Sequence, residues 1–263
     1  MPYVLHSPMQ RLHYTIHANG HAPWLTFFHA LGTDSQIWSE QFGAFEGSYR
    51  LLAVDMRGHG RSAASPHPYT LRDIVQDVIM LWDALGVERS HVCGVSMGGL
   101  IAQALCLEAP SRVDRSVICC MAANGGSQTA WQQRMAAVRS SGLAALVAAT
   151  LERWFTPAYR HHHADRIAPI AHCFRHTSIK GYLDACQAIA TTDYSHCTAR
   201  MTGPMCVIAA EQDVAFPPEQ LQHFANTLPN ARFYCIPGAH LCQFESAPEF
   251  NRAVAAFLTA TVD

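Results

Sequence analysis

One serine lies between two glycines in the sequence HVCGVSMGGL, residues 91–100, directly after an apolar run and directly before helix-forming residues. The segment Gly94-Val95-Ser96-Met97-Gly98 fits the pattern G-x-S-x-G, which places a nucleophilic serine at the apex of a sharp strand-to-helix turn. Glycines favour any tight turn, and a pattern with three fixed positions also arises by chance. Ser96 is therefore either a nucleophile or a small residue that fills a turn.

The chain offers two partners that a nucleophilic serine would need. A serine hydroxyl is a weak nucleophile until a histidine takes its proton and a carboxylate orients that histidine. Asp213 follows the apolar run 205–210, and His240 follows the run 232–237, so the order is Ser, Asp, His. Glu211 is the alternative acid, although Asp213 lies farther past the strand end. His240 alone could be a loop histidine that caps a helix, but all three residues in this order favour a catalytic triad.

Acyl transfer also needs donors for the negative charge that develops on the carbonyl oxygen. One predicted donor is the backbone N–H of Met97, which follows the serine and begins a helix whose dipole favours an anion. The second is expected in the loop 29–32, which follows an apolar strand. We assign it to the N–H of Leu31, with Ala30 as the alternative. The side chain of His29 is interpreted as a structural hydrogen-bonding group rather than a second base.

Seven apolar or β-branched runs predict the strands that must position these groups. They are 12–16, 24–29, 50–55, 91–95, 116–120, 205–210 and 232–237. The first is typical of an antiparallel edge strand, and the later ones are continuously apolar, as expected of strands that helices cover on both faces. Helical patterns over 70–85, opened by a threonine cap, and over 97–107 alternate with them. This alternation predicts an α/β fold with a mostly parallel sheet.

The alternation stops between residues 122 and 201, where the sequence is helical, alanine-rich and aromatic. A helical insertion in such a sheet is expected to cover the carboxyl ends of the strands, where open α/β sheets bind ligands. The predicted organisation is therefore a core of residues 1–121 and 202–263 with a helical cap of residues 122–201.

The composition limits the possible partners. With 263 residues, of which 49% are hydrophobic and 14% charged, the chain can bury a substantial core. A formal net charge of −2 argues against nucleic acid and anionic membrane surfaces as partners. Residues 1–20 contain no apolar stretch of signal-peptide type, and no segment approaches the roughly 20 apolar residues of a membrane span. We expect a cytoplasmic protein with a small-molecule ligand, and the oligomeric state stays open.

Ten cysteines are scattered through apolar runs and are expected to be reduced core thiols. No C-x-x-C pair occurs, so the sequence predicts no zinc site. The histidine run at 161–166 is interpreted as a solvated helix end or loop rather than a metal site, because no cysteine or acidic cluster accompanies it.

With these residues assembled, the chain resembles the α/β-hydrolases, whose D-x-R-G-x-G-x-S loop matches DMRGHGRS at 55–62. More narrowly, it resembles the 3-oxoadipate enol-lactonases of aromatic catabolism. The similar pieces are LGTDSQIW, the stretch from PYTLRD to GGLIAQ, WQQR, LERWFTP and GYLDACQAIATTD. The resemblance implies hydrolysis of a small carboxylated enol-lactone by water through an acyl-enzyme, without a cofactor.

Residues of the predicted cap are candidates for substrate binding. Arg134 is the candidate partner for a substrate carboxylate, and Trp131 and Trp154 are candidate pocket walls. The alternative is that Arg134 is a solvated helix arginine and the tryptophans belong to the core. Three stretches depart from the enol-lactonase pattern, namely 29–32, Asn124 and the residues after His240, and we expect these departures to line the pocket.

Other functions use the same machinery. A carboxylesterase or another lactonase is the nearest alternative, and a C–C hydrolase or a cofactor-free oxygenase would use the fold for different chemistry. A ligand-binding signalling protein is the alternative from a different class, since some relatives with this fold act as receptors.

Overall fold

A sheet of eight strands runs through the part of the chain that the computed structural model describes, residues 3–7, 10–17 and 20–260. The strands are β1 (Tyr3–Ser7), β2 (Gln10–His17), β3 (Trp24–Phe28), β4 (Arg50–Val54), β5 (Ser90–Val95), β6 (Val113–Cys119), β7 (Met205–Ala210) and β8 (Ala231–Ile236). Their order in the sheet is β1-β2-β4-β3-β5-β6-β7-β8. The pairs from β4 to β8 are parallel, and β1 and β2 are antiparallel to their neighbours. The predicted α/β class with a mostly parallel sheet is confirmed.

Two strand predictions need correction at the ends of the sheet. The run 12–16 lies in β2, which is not an edge, because the chain reverses before it and β1 pairs with its outer side, Tyr3 opposite His13. The last strand, β8, is not covered on both faces. It is the opposite edge of the sheet, and residues such as Arg232 and Cys235 on it are exposed.

Eleven α-helices lie in the described ranges. They are α1 (Ser39–Phe45), α2 (Leu71–Leu85), α3 (Met97–Glu108), α4 (Gln128–Ser141), α5 (Val147–Trp154), α6 (Pro157–His162), α7 (Ala164–His176), α8 (Ile179–Ala190), α9 (Pro218–Asn226), α10 (Cys242–Glu245) and α11 (Ala247–Thr259). Thr70 caps α2 as predicted, in a reciprocal capping box with Asp73. Nearly all of α3 is buried, which explains its almost wholly apolar sequence.

Helices α4 to α8 all lie between β6 and β7 and form what we call the helical insertion. The strands on either side of it are adjacent in the sheet and run parallel, Ser116 opposite Met205. The chain therefore leaves the sheet at the carboxyl end of β6, forms five helices, and returns to continue the sheet. In the described residues, no helix has both the length and the apolar character that crossing a bilayer requires.

Candidate active site

The serine of the glycine motif occupies the turn between β5 and α3. Ser96 has φ +55° and ψ −119°, a left-handed conformation that is strained for a residue with a side chain. The two glycines are required by space. A Cβ atom on Gly94 would lie 2.0 Å from the carbonyl oxygen of Gly98, and a Cβ on Gly98 would lie 2.0 Å from the carbonyl oxygen of Phe28. The motif therefore forms the sharp strand-to-helix turn that its sequence predicts.

Three side chains from separate parts of the chain form a hydrogen-bonded line at the carboxyl edge of the sheet. The Nδ1 atom of His240 lies 2.8 Å from Asp213 Oδ2, and its Nε2 atom lies 2.8 Å from Ser96 Oγ. Because a carboxylate can only accept, Nδ1 carries the proton and donates it to Asp213. Nε2 is then left to accept a hydrogen bond from the serine hydroxyl, which is the arrangement needed to deprotonate it.

The carboxylate of Asp213 is buried yet strongly hydrogen-bonded. Its Oδ1 atom accepts hydrogen bonds from the backbone N–H groups of Ala215 at 2.8 Å and Phe216 at 3.2 Å. Burial acts to raise the pKa of Asp213, but the charge of His240 and the hydrogen bonds to the carboxylate outweigh it, so the pKa lies below its usual value. The alternative acid Glu211 is exposed, and the acid that His240 contacts is Asp213.

The loop that carries the histidine is tied to the helical insertion by Glu245, the last residue of α10. One oxygen of its carboxylate accepts the N–H groups of Ala239 and Thr156, each at 3.2 Å, and the other oxygen accepts the Thr156 hydroxyl. A backbone bond of 3.0 Å from the N–H of Leu241 to the carbonyl of Trp154 joins the same two segments. A shift of this part of the insertion would therefore also move the histidine loop.

Two backbone N–H groups are candidates for an oxyanion hole. Met97 is the first residue of α3, at the helix end where partial positive charge favours an anion. Leu31 lies in the loop after β3 and lines the same cavity as Ser96. Within residues 20–260, neither N–H donates a hydrogen bond to another protein group. Both N–H groups are thus free to donate hydrogen bonds to a ligand oxygen.

His29 holds the Leu31 loop in place. Its Nε2 atom accepts the backbone N–H of Met56 at 2.9 Å, so Nδ1 carries the proton and donates to the carbonyl of Ala30 at 2.8 Å. The side chain is completely buried, and burial lowers its pKa. A neutral, buried histidine with both nitrogens occupied is a structural group, in agreement with the interpretation from sequence.

A cavity of about 400 Å³ borders the serine, a volume typical of small-molecule sites. Ser96, His240 and Leu31 line it from the core, and the helical insertion supplies many of the other lining residues. The three residues predicted to bind substrate, Trp131, Arg134 and Trp154, all line this cavity. Arg134 is half-buried, so the alternative of a solvated helix arginine does not hold.

A second arginine, Arg153, lines the same cavity and was missed by the sequence analysis. Arg134 donates to the Tyr182 hydroxyl at 2.5 Å and to the Thr150 hydroxyl at 3.2 Å, and Arg153 donates to the same Thr150 oxygen at 3.4 Å. In residues 11–17 and 20–260, no carboxylate lies within ion-pair distance of either guanidinium. Burial, followed by the charge of Arg134, lowers the pKa of Arg153. The cavity therefore favours an anionic ligand.

The expectation that departures from the enol-lactonase pattern line the pocket is largely wrong. Leu31 lines the cavity, but His29 is buried behind it. The side chain of Asn124 instead bonds Ser195 and the N–H of Gly126, which fixes a loop of the insertion. The residues that follow His240 lead into α10 and are absent from the cavity lining.

The histidine run lies on the surface. His161, His162 and His163 are exposed at the end of α6, which agrees with the interpretation as a solvated helix end. Among the residues with described side chains, the groups that could hold a metal ion combine Cys119, Cys120 and Cys242, or Cys120 with the Asp213 and His240 pair.

Comparison with known proteins identifies the family. The model of the α/β hydrolase fold matches residues 23–247. The chain is 31% identical to 3-oxoadipate enol-lactonase 2 of Acinetobacter baylyi, over 94% of this chain and 92% of the relative. It is 30% identical to a Variovorax paradoxus relative that bears the name carbamate hydrolase RutD, over 94% of this chain and 96% of the relative. The crystal structure of the enol-lactonase from Burkholderia xenovorans LB400 superposes with a TM-score of 0.95 at 36% identity and covers 98% of this chain and 100% of that one.

The chain therefore belongs to the α/β hydrolase fold family. Its similarity to the enol-lactonases extends over nearly the whole length, including the helical insertion. The relatives support a hydrolase that acts on a small molecule.

Proposed function

We propose that this protein is a serine hydrolase that opens a small lactone carrying a carboxylate, with 3-oxoadipate enol-lactone as the leading candidate. The enol-lactonases among its relatives support the reaction class. The observation that carries the proposal is that one cavity of about 400 Å³ is lined by the Ser96–His240 pair and by two arginines that have no acidic partner among the described side chains. A carboxylated lactone offers a carbonyl carbon to the first pair and an anion to the second.

In the proposed mechanism, Asp213 keeps His240 in the tautomer that accepts a proton at Nε2. His240 takes the proton of Ser96 as Oγ attacks the lactone carbonyl carbon, and the N–H groups of Leu31 and Met97 stabilise the oxyanion. His240 then protonates the ring oxygen, the ring opens, and the acyl group stays on the serine. Water, deprotonated by His240, attacks this ester. His240 then returns the proton to Ser96 Oγ as the acyl–oxygen bond breaks, which releases the acid and restores the serine.

The leaving group of a lactone stays attached to the acyl chain, so ring closure competes with water at the acyl-enzyme. An enol-lactone avoids much of this competition, because the released enol converts to a ketone that is a poor nucleophile. The chemistry of an enol-lactone therefore suits a simple triad that has no further device for removing the leaving group.

The substrate carboxylate is assigned to Arg134 and Arg153. Both donate to the Thr150 hydroxyl and so point to one region of the cavity. Charge-assisted hydrogen bonds to carboxylates are stronger than neutral ones, and guanidinium groups bind carboxylates in a fixed geometry. Trp131 and Trp154 would enclose the apolar part of a small ring. We further propose that residues 122–201 act as a cap on a core of residues 1–121 and 202–263.

Two neighbouring functions use the same residues. The carbamate hydrolases among the relatives favour a second candidate, hydrolysis of a small carbamate. A carboxylesterase without charge selectivity would leave the two arginines without a role. A signalling protein with this site would bind the ligand but would not turn it over repeatedly.

The test is a substrate panel for the purified protein. It compares 3-oxoadipate enol-lactone with an uncharged aliphatic lactone, an aryl acetate and a small carbamate, with acid release measured over many turnovers. The proposal predicts the highest kcat/KM for the carboxylated enol-lactone. Equal rates for charged and uncharged lactones would indicate a general esterase, and preferred turnover of the carbamate would replace the substrate assignment.

A further inference from the structure

Three cysteine thiols converge next to the candidate active site. Cys119 ends β6, Cys120 follows it with a left-handed φ of +50°, and Cys242 begins α10 two residues after His240. The sulfur atoms of Cys119 and Cys242 are 3.4 Å apart, those of Cys120 and Cys242 are 3.6 Å apart, and those of Cys119 and Cys120 are 3.7 Å apart. All three side chains are completely buried. The fold thus forms a triangle of sulfur atoms from two segments that are distant in the sequence.

The size of this triangle matches a metal ion. Sulfur atoms with these separations lie about 2.1 Å from their common centre, so an ion at the usual zinc–thiolate distance of about 2.3 Å would sit about 1 Å out of their plane. Three thiolates below an ion displaced in this way leave one open position, which is tetrahedral coordination with three protein ligands. Thiolate ligands select soft or borderline ions over magnesium and calcium.

The triangle also touches the triad. The sulfur of Cys120, a carboxylate oxygen of Asp213 and a ring nitrogen of His240 all lie within 4.8 Å of one another. An ion bound to the three sulfurs would therefore lie close to the imidazole and its carboxylate. One of these two side chains is then placed to fill the open fourth position of the ion. A histidine nitrogen bound to the ion, or a carboxylate drawn away from the imidazole, leaves His240 unable to take the serine proton.

Metal binding requires the ligands to be thiolates. Binding an ion would displace the protons of all three thiols to solvent while three metal–sulfur bonds form. No electron transfer is involved.

We propose that Cys119, Cys120 and Cys242 form an inhibitory site for a thiophilic divalent cation such as zinc. The ion reaches the site through the substrate cavity, which His240 lines, and it stops catalysis by taking His240 or its partner Asp213 as the fourth ligand. The spacing of cysteines along the sequence predicts no zinc site, because these three ligands meet only in the folded chain. The binding itself does not depend on which substrate the protein hydrolyses.

Cobalt(II) is the probe for binding, because cobalt–thiolate bonds absorb near-ultraviolet light and tetrahedral cobalt has intense visible bands. The reduced full-length protein is titrated with cobalt(II) in the absence of substrate. We expect one equivalent of thiolate-bound cobalt per chain, displaced by zinc. Cys119→Ala and Cys242→Ala should each remove the bands, and circular dichroism verifies that each variant is folded.

Two other cysteines serve as matched controls. Cys106 is buried outside the triangle and Cys235 is exposed, so Cys106→Ala and Cys235→Ala should keep the cobalt bands. Absence of thiolate bands in the natural protein would overturn the proposal. Bands that survive in both Cys119→Ala and Cys242→Ala would also overturn it, because the ion would then be bound elsewhere.

Inhibition is measured with buffered free zinc and whichever ester or lactone the protein hydrolyses. We expect zinc to lower kcat, a chelator to restore it, and Cys119→Ala to raise the inhibitory zinc concentration at least tenfold. Inhibition that is unchanged in Cys119→Ala would place the zinc on His240 alone or on the exposed histidines 161–163 and would contradict the proposal.

Discussion

The carboxyl edge of the sheet and the helical insertion line the same cavity, but they hold their side chains in different ways. At the sheet edge, a strained turn fixes Ser96 and two backbone N–H groups fix Asp213. In the insertion, hydroxyl groups of Tyr182 and Thr150 hold the two arginines, and the guanidinium charges have no acidic partner among the described side chains. The edge has its electrostatic partners built in, whereas the insertion leaves its charges for a ligand.

This difference separates chemistry from selectivity. In the proposed mechanism, the edge deprotonates the serine and stabilises an oxyanion for any ester or lactone, so this chemistry does not depend on one substrate. The proposed role of the insertion is to decide which molecule is held there. Variants of the edge should therefore lower the rate for every substrate, and variants of the insertion should change the ranking of substrates.

The largest effect is expected from Ser96→Ala, which removes the nucleophile. We expect kcat to fall by about 10⁶-fold, as for other triad serines. The matched control is Ser127→Ala, a serine that lines the same cavity and caps α4, which should retain most of the activity. Turnover by a folded Ser96→Ala protein at a rate near that of the natural protein would exclude the serine mechanism.

The next largest effect is expected from Asp213→Asn. An amide in place of the carboxylate leaves the wrong tautomer of His240, so kcat should fall by about 10⁴-fold while KM changes little. The control is Glu211→Gln, which changes the nearby exposed acid and should behave like the natural protein. If Glu211→Gln lost activity and Asp213→Asn kept it, the role of the acid would move to Glu211.

A smaller effect is expected where the two regions are joined. Glu245→Ala removes the hydrogen bonds from Ala239 and Thr156, so the histidine loop loses its attachment to the insertion. We expect kcat to fall roughly tenfold through misplacement of the base, with a smaller change in KM. Glu245→Gln keeps one acceptor oxygen and should restore part of the rate.

The control for Glu245 is Glu249→Ala, an acid on α11 that pairs with Arg252. It should leave kcat unchanged. A fall in protein stability without any change in kcat for Glu245→Ala would mean that Glu245 supports only the fold.

The smallest effect concerns stability and pH. Burial lowers the pKa of His59 to about 3. The unfolded chain binds a proton at this histidine near pH 6.5, and the folded chain does so only near pH 3. The free energy of unfolding should therefore decrease as the pH falls from about 6.5 towards 3. Urea unfolding at pH 7.5, 6 and 5 measures the slope.

We expect His59 and the exposed histidines of the helical insertion to contribute differently to the slope of the free energy of unfolding against pH. His59→Gln should flatten it, because the buried titrating group is gone, whatever the variant does to stability at pH 7.5. The exposed His161 and His162 of the insertion provide the control, and replacing both with glutamine should leave the slope unchanged. An unchanged slope in His59→Gln would contradict the assignment.

The sequence predicted the sheet edge well because its signals are local. Strand β7 has the bounds that the apolar run 205–210 indicates. In a parallel sheet all strands point in the same direction, so every loop that follows a strand lies at the same edge. Ser96, Asp213 and His240 each follow a strand in the sequence, which predicts that all three lie at that edge. Strand β1 was missed because its role depends on pairing with β2, which a short run of five residues does not reveal.

The insertion was harder to predict because its contacts are long-range. Arg153 follows three residues after Thr150 on α5, and nothing in that spacing shows that Arg134 of α4 meets the same hydroxyl. Its only signal was its position beside Trp154, a residue already predicted to line the pocket. The sulfur triangle is similar, since residues 119–120 and 242 become neighbours only when β6 and α10 pack together.

The most direct test of the account compares one lactone in two charge states. The measured quantity is kcat/KM for the carboxylated enol-lactone divided by kcat/KM for its methyl ester. It is determined for the natural protein and for the double variant Arg134→Gln with Arg153→Gln. The control is Arg139→Gln, which changes an exposed arginine of α4. We predict that this ratio falls at least about tenfold in the double variant, because the charged lactone reacts more slowly while the methyl ester reacts as before. Arg139→Gln should keep the ratio of the natural protein. An unchanged ratio, or an equal loss for both lactones, would contradict the claim that the sheet edge performs the chemistry and the insertion selects the anion.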